Sequence, residues 1–345
     1  MKAETEMITR TPTIKDVALK AEVSLKTVSR VINESDDVST ETRQKVLETI
    51  KKVGYRPNAL ARGLRVKKTF SIGVIIADIT NSFHNVLVRG IEDVALSKNY
   101  SILLANSDEM LKKEKMYARL FMERQVEGLI IVPSAGSQDY LKSFARYLPI
   151  VFVDRKPKDF DASMVGVDNF CGAYSLTNHL IEHGYNRIAL ICHDLNFSTG
   201  KERYDAFIEA LQKAHIKPVE EYIKIGNRTI EDAFVATESI VRANIRPQAI
   251  FASNNVMALG VMKALDTHKL EVPKDIAIVA FDDFPFFEIF RPYITTVSQP
   301  VYEMGKMAAQ VLFEQMSNGI RNENFTLPIQ LVVRESCGCV RRGAI

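Results

Sequence analysis

Residues 13 to 33 read Thr-Ile-Lys-Asp-Val-Ala-Leu-Lys-Ala-Glu-Val-Ser-Leu-Lys-Thr-Val-Ser-Arg-Val-Ile-Asn, and they limit the fold more tightly than any other stretch. The spacing predicts two short helices and a tight turn. Thr13 is a good N-cap, and Asp16 places a carboxylate in the first turn, where the helix dipole favours it. Ile14, Val17, Ala18 and Ala21 recur at i, i+3, i+4 and i+7 as one apolar stripe. Glu22 and Val23 carry the turn. Ser24 caps the second helix, and Val28, Val31 and Ile32 give it a buried face. Leu25, Lys26, Thr27, Ser29 and Arg30 then point outward. A helix that shows hydroxyls, a Lys and an Arg from its N-terminal half suits the major groove of a duplex. A small helical hairpin with a solvated charged face would need only the apolar spacing. Here two caps and cationic outward residues coincide with it.

Glu34-Ser35-Asp36-Asp37 reads as a loop. Ser39 caps a third helix, with Val38 as its hydrophobic staple. Val46, Leu47, Ile50 and Val53 are expected to face inward, and Gly54 to stop the helix. The charge distribution agrees with a separate head. Residues 1 to 68 hold fifteen Lys/Arg against nine Asp/Glu, and the remainder thirty against thirty-three. A basic head on a mildly acidic body points to a polyanion partner at the N-terminus only.

Residues 55 to 68, Tyr-Arg-Pro-Asn-Ala-Leu-Ala-Arg-Gly-Leu-Arg-Val-Lys-Lys, form a linker. Pro57 fits the first position of a short helix running to about Arg65. Gly63 inside it costs about 1 kcal/mol relative to Ala. So short a helix would not persist alone. A disordered basic linker and a helix that forms on DNA both fit these residues.

The run Thr-Val-Ser-Arg-Val-Ile-Asn at 27 to 33 resembles the DNA-binding headpiece of the lactose-repressor/galactose-repressor (LacI/GalR) family of bacterial transcription regulators. The similarity continues through linker and core over nearly the whole chain. It implies Leu25, Lys26 and Arg30 as base readers, and Ser24, Thr27, Ser29 and Asn33 as phosphate contacts. Leu25 cannot hydrogen-bond, so it would read shape or a thymine methyl. The resemblance makes residues 55–68 a hinge that folds on the minor groove. Ala61 and Leu64 would reach that groove, with Leu64 as a wedge whose unstacking cost of about a few kcal/mol is offset by added contacts.

From Phe70 onward, β-rich runs alternate with amphipathic helices. Strands are expected at 72–76, 102–104, 129–132, 150–153, 165–167, 188–191, 222–225, 249–252, 276–280, 325–327 and 330–334. Helices are expected near 85–98, 112–124, 138–147, 170–183, 200–214, 229–243, 255–265 and 301–316. Repeated βα units imply parallel sheets with helices on both faces. The alternation restarts at Val165-Gly-Val167, so two similar lobes are expected. The fold class is therefore an α/β core of two doubly wound parallel-sheet lobes behind an all-α helix-turn-helix headpiece. The resemblance makes that core periplasmic-binding-protein-like, with three crossovers. It would return the chain to the first lobe near 293–320 and to the second afterwards. The domain division reads 1–54 headpiece, 55–68 hinge and 69–345 effector-binding and dimerisation core.

No G-x-S-x-G, P-loop or H-E-x-x-H occurs, and no Gly-rich dinucleotide fingerprint follows the first core strand. Binding therefore outranks catalysis. Polar groups gather at the expected strand ends, where open α/β sheets bind ligands: Asp78, Asn81, Phe83, His84, Asp154, Arg155, Asp168, Asn169, Asn254, Asn255, Asp282 and Asp283. Ser198, Thr199 and Arg203 open a helix, and Arg228 follows a strand. Carboxylates, Arg, Asn and a few aromatics suit a polyhydroxylated ligand, because each buried hydroxyl needs a donor and an acceptor. For Asp78, Asp168, Asn255 and Asp283 a loop cap or a lobe-to-lobe contact explains the residue equally well. The resemblance implies effector contacts at Phe83, His84, Asp154, Thr199, Arg203, Asn254 and Asp282. Asn255 stands where many relatives carry an acid. Arg228 stands where an aromatic is common, which suggests an anionic ligand such as a sugar acid or sugar phosphate. A surface Arg beside the cleft fits Arg228 as well.

The four cysteines, Cys171, Cys192, Cys337 and Cys339, do not space like a disulfide framework, and reduced thiols are expected. The six His are scattered and give Cys337-Gly-Cys339 no obvious metal-binding company, so no metal or cofactor is expected. The N-terminus lacks an apolar h-region, and no run approaches the ~18 apolar residues of a membrane span. These readings converge on a cytoplasmic, homodimeric DNA-binding regulator, a repressor, binding a near-palindromic operator under a small sugar-like effector. Two alternatives stay open. One is a catabolite-control regulator of the same family whose effector is a phosphorylated carrier protein. The other is a solute-binding protein or an α/β enzyme.

Overall fold

The computed structural model describes residues 12–32, 35–55, 68–289 and 291–339. Its contacts divide the chain at Thr69/Phe70 into two compact units. The first unit holds α1 (Ile14–Ala21), α2 (Leu25–Ile32) and α3 (Thr40–Val53). Local chemistry starts and stops each helix. Asp16 Oδ2 accepts from the Thr13 amide at 2.7 Å. Glu22 ends α1 in a left-handed conformation, φ 54°. Ser39 Oγ accepts from the Thr42 amide at 3.3 Å. Gly54 closes α3 at φ 69°, where L side chains are strained. Val17, Ala18, Ala21, Val28, Val31 and Val46 are buried together, with Ile14, Val23, Ile32, Val38, Ile50 and Tyr55 around them. Leu47 is a correction. It is 50 % exposed, because the α1 and α2 stripes cover only the Val46/Ile50 side of α3. The hinge helix expected at 57–65, with Ala61 and Leu64, lies outside the described residues, as does Asn33.

The second unit holds two six-stranded sheets. The elements in order are β1 (Ser71–Ile76), α4 (Ser82–Ser97), β2 (Ser101–Asn106), α5 (Leu111–Glu123), β3 (Leu129–Ile131), β4 (Ile150–Val153) and β5 (Ser163–Val167). There follow α6 (Asn169–Glu182), β6 (Ile188–Ile191), α7 (Ser198–Lys213), β7 (Ile223–Lys224), α8 (Ile230–Val241), β8 (Ala249–Ala252), α9 (Asn255–Thr267) and β9 (Ala277–Phe281). The last elements are β10 (Thr295–Ser298), α10 (Val301–Asn318), β11 (Asn324–Leu327) and β12 (Gln330–Val332). The first sheet runs β11-β5-β4-β3-β1-β2 and the second β12-β10-β9-β8-β6-β7. All described pairings are parallel except β10 with β12. Strands such as Ile150–Val153 and Ala249–Ala252 are buried along their whole length, as parallel strands covered on both faces must be.

Three elements differ from expectation. β5 belongs to the first sheet, beside β4 (Val151 opposite Ser163), rather than opening the second. The helix expected at 138–147 is only a 3₁₀ turn, Asp139–Ser143. β10 is a strand that the apolar pattern does not announce, since its residues are Thr-Thr-Val-Ser. The chain passes between sheets at Asp168, at Gln299-Pro300 and at Pro328-Ile329. The second passage sends α10 onto the first lobe. There Gly305 lets the helices approach so closely that a Cβ would sit 2.1 Å from the Leu87 carbonyl oxygen of α4.

Candidate functional site

Two sites follow, one in each compact unit. In the first, α2 is held by its own cap: Ser24 Oγ accepts from the Thr27 amide at 3.0 Å and lies 2.9 Å from Thr27 Oγ1. Val28 and Val31 are buried, so Leu25 (45 % exposed), Lys26, Thr27, Ser29 and Arg30 share the open side. The Arg30 guanidinium is 3.8 Å from the Asp37 carboxylate, and both ends are largely in solvent. A pair of that kind contributes about 0–1 kcal/mol, so Arg30 can exchange it for a nucleic-acid contact.

In the second unit a cleft opens between the two sheets at the carboxyl ends of their strands. Phe83 and His84 from the start of α4, Asp154 after β4, Thr199 and Arg203 from α7, Asn254 before α9 and Asp282 after β9 all line it. Asp154 (φ 71°) and Asp282 (φ 73°) take the same left-handed conformation in the two lobes, which aspartate tolerates better than most residues. Arg203 is the best-held group. Its Nε and Nη2 donate to Asn169 Oδ1 at 2.9 and 2.7 Å, and Nη1 donates to the Ser253 carbonyl at 2.7 Å. Its guanidinium carbon lies 3.6 Å from the Phe281 ring centroid.

Several contacts cross from lobe to lobe. Arg155 Nη2 donates to Glu109 Oε1 at 2.6 Å, and Glu109 Oε2 is 3.3 Å from His193 Nε2 on the second lobe. Arg155 also lies over the Phe197 ring of the second lobe, 4.2 Å from its centroid. Asn255 Nδ2 donates to Asn81 Oδ1 at 2.8 Å. The Lys156 amide donates to Ser198 Oγ at 2.9 Å. Among the described residues, Arg155 Nε and Nη1, Asn255 Oδ1, Gln299 Oε1 and Gln315 Oε1 are buried polar atoms without a hydrogen-bond partner in the protein, although Arg155 Nε lies 3.5 Å from Asp154 Oδ2. All but Gln315 belong to cleft-lining residues.

The same burial sets the protonation states. Burial, aided by Arg155, pushes the His84 imidazole down to about 4, while its Nδ1 lies 2.8 Å from the Asp78 carbonyl oxygen. Burial pushes Asp154 up to about 6 against the pull of Arg155 and Arg203. Burial of Glu109 works upward too, but His193 and Arg155 outweigh it and hold the carboxyl down to about 2. Burial also pulls Arg203 below the usual guanidinium range, with Asp282 and Asp154 opposing it.

Of the expected effector contacts, one falls outside the cleft lining. Arg228 Nη2 donates to Asp194 Oδ2 at 2.9 Å, which places Arg228 beside the cleft rather than in its lining. Asn254 lines the cleft but also caps α9 through the Met257 amide at 2.8 Å. Asp78 and Asp168 are loop and helix caps, Asn255 is a lobe-to-lobe contact, and Asp283 pairs with Arg334 at 2.8 Å. Sequence reasoning did not single out Glu109, His193, Ser253 or Gln299. Each follows a strand, directly or within a few residues, which was the available signal. A further correction concerns the His residues. His179 and His183 stand beside Cys337 and Cys339, and the H-x₃-H spacing on a helix was the missed sign.

Comparison with known proteins covers both units. The profile for bacterial regulatory proteins of the lacI family matches residues 13–58, and that for a periplasmic binding protein-like domain matches residues 177–337. The transcriptional regulator RegA of Clostridium saccharobutylicum is 37 % identical over 94 % of this chain and 98 % of its own length. Catabolite control protein A of Priestia megaterium is 35 % identical over 94 % of this chain and 98 % of its own. Among solved structures, the lac repressor dimer bound to operator and an anti-inducer superposes with a TM-score of 0.85 at 26 % identity, covering 95 % of this chain and 99 % of that one. Among the described residues no helix is long and apolar enough to cross a membrane.

Proposed function

The chain belongs to the lacI family of bacterial regulatory proteins and is a DNA-binding transcription regulator, and we propose that it is a homodimeric repressor whose operator grip is set by a sugar-like effector in the inter-lobe cleft. Leu25, Lys26 and Arg30 read base edges. Ser24, Thr27, Ser29 and Asn33 hold phosphates, and Ala61 and Leu64 of the hinge enter the minor groove. Residues 1–54 form the headpiece, 55–68 the hinge and 69–345 the core. The protein acts in the cytoplasm as a regulator rather than an enzyme. Leu104, Met110, Met116 and Leu120 are exposed apolar side chains along edge strand β2, the loop after it and neighbouring α5, and they support a dimer seam on the first lobe. Paired headpieces then read a near-palindromic operator.

One observation carries the effector reading: the cleft-lining residues Arg155, Asn255 and Gln299 hold buried donors and acceptors without a hydrogen-bond partner in the protein. A polyhydroxylated ligand supplies both kinds of partner. Phe83 and His84 pack against its ring, while Asp154, Thr199, Arg203, Asn254 and Asp282 take its hydroxyls. Arg228 stands beside the cleft in a pair with Asp194 that is open to solvent on the Arg228 side, so it can exchange that contact for the acid group of a sugar acid or sugar phosphate. Ligand in the cleft biases the lobe-to-lobe contacts, and a coupling of about 1–3 kcal/mol to the hinges suffices for a switch.

A thermal-shift panel of neutral sugars, sugar acids, sugar phosphates and nucleobases tests this. A ligand at a hundred times its Kd stabilises the fold by about 2.7 kcal/mol, a shift of several degrees. The expected hit is a sugar or sugar derivative that also changes operator affinity in a mobility-shift titration. Silence across the sugars with a response to nucleobases overturns the ligand class. The similarity to catabolite control protein A favours one second reading, a phosphorylated carrier protein as effector. Capture of the phosphorylated but not the unphosphorylated carrier, with no sugar response, would select it.

A further inference from the structure

The segment after β12 runs Arg334-Glu-Ser-Cys-Gly-Cys and lies against the C-terminal end of α6, far along the chain from the residues it meets. On that helix end His179 and His183 are one turn apart. His179 Nε2 is 3.2 Å from Cys337 Sγ and 3.8 Å from Cys339 Sγ. His183 Nε2 is 2.9 Å from Cys339 Sγ. All four side chains bring one ligand atom each to within 4.8 Å of the others. Two imidazole nitrogens and two sulfurs are a soft, tetrahedral donor set of the kind that selects zinc. Zn–S bonds of about 2.3 Å and Zn–N bonds of about 2.0–2.1 Å place tetrahedral ligand atoms about 3.3–3.8 Å apart. The observed separations run from 2.9 Å to at most 4.8 Å and bracket that range.

The surroundings orient the donors. The His179 carbonyl can only accept, so His183 Nδ1, 2.8 Å away, carries the proton, and Nε2 turns its lone pair to the thiols. Thr295 Oγ1 donates to Cys337 Sγ at 3.1 Å. Gly338, at φ 95°, turns the chain between the two cysteines. C-x-C is tighter than the spacing of most zinc fingers, and this glycine turn is what brings both sulfurs to one side. The segment is already held in place: Ser336 Oγ donates to the Ile278 carbonyl at 2.6 Å and accepts from the Thr295 amide at 2.8 Å. Tyr185 Oη donates to the Cys337 carbonyl at 3.1 Å. Cys337 is buried, whereas Cys339 is partly open and His183 exposed, so an ion has a way in.

We propose that His179, His183, Cys337 and Cys339 bind one zinc ion that clips the C-terminal segment to α6 of the second lobe. The clip holds the far end of the helix whose first residue, Asn169, accepts from Arg203 in the cleft. It is distinct from the effector cleft and does not depend on the effector assignment.

The test uses the full chain kept reduced with a non-chelating phosphine, stripped with EDTA and titrated with cobalt(II). The expected result is one cobalt per chain, with a thiolate charge-transfer band and the strong visible bands of tetrahedral cobalt. Zinc should displace it mole for mole and raise the unfolding midpoint. His183→Ala and Cys339→Ser, on the open side of the cluster, should fold yet lose both the bands and the zinc shift. Cys171→Ser should keep both. Absence of tetrahedral bands in the reduced, stripped protein overturns the proposal, as does their survival in both variants. A Cys337–Cys339 disulfide as the resting form under reducing conditions would overturn it as well.

Discussion

Arg30→Ala is expected to bring operator binding down to the level of random DNA while leaving the random-DNA affinity in place. The outward face of α2 carries two cationic side chains, Lys26 and Arg30, that can donate to base edges. A good bidentate contact to guanine is worth about 1–3 kcal/mol of discrimination. A homodimer makes the contact in both half-sites, so the loss is about 2–6 kcal/mol, from about thirtyfold to more than ten-thousand-fold. Random-DNA binding rests on neutralised phosphates and retains its steep salt dependence. Folding should not suffer, because the Arg30–Asp37 pair is exposed and spans 3.8 Å. Mobility-shift titrations on operator and scrambled duplexes across a salt series check this. Equal losses on the two duplexes would make Arg30 a phosphate contact instead.

Glu109→Ala should produce the larger change in the core. Glu109 joins the lobes through Arg155 at 2.6 Å and His193 at 3.3 Å, and its side chain is only 15 % exposed. Removing Glu109 leaves the buried Arg155 guanidinium with only Asp154, 3.5 Å from its Nε, as an anionic neighbour, at a cost of up to about 3–5 kcal/mol. The pH dependence identifies the cause. The carboxyl is held down to about 2 from an ordinary 4.5, so its stabilisation is complete above pH 4.5 and lost as pH falls toward 2. Two other cleft groups oppose each other at higher pH. Protonating His84, held down to about 4 from 6.5, costs stability as pH falls through that range. Protonating Asp154, pushed up to about 6 from 3.8, returns stability over nearly the same range. Denaturation midpoints should therefore change little from these groups between pH 6.5 and 4.5, then fall below 4.5. In Glu109→Ala the steep acid limb should flatten. An unaltered limb would assign acid sensitivity elsewhere.

The parts of this fold that could be read from the chain are those governed by local rules. Ser24, Ser39 and Gly54 mark helix ends through hydrogen bonds and backbone angles that involve only near neighbours. Ile150–Val153 and Ala249–Ala252 announce themselves as runs of apolar residues because both faces of a parallel strand are covered. What escaped depends on distant partners. β5 looks like a fresh start because a helix follows it, yet its hydrogen bonds run to β4 and β11. Leu47 sits at a core spacing on α3, but among the described residues of the headpiece α1 and α2 pack on the Val46/Ile50 side of that helix. Arg228 lies near a strand end as expected, and Asp194, thirty-four residues earlier, decides where its guanidinium points. Glu109 and His193 are unremarkable singly, and they become a unit only when two lobes meet.

The most direct measurement compares operator binding by the intact chain with that of a fragment lacking residues 1–68, each with and without the effector identified in the thermal-shift panel. The fragment should bind the effector with the affinity of the intact protein and show no preference for operator. The intact chain should bind operator selectively and change that affinity when the effector is added. A fragment that held the operator as firmly as the full chain, or an effector that bound only when the first sixty-eight residues were present, would contradict a DNA-reading head governed by a separate ligand-binding core.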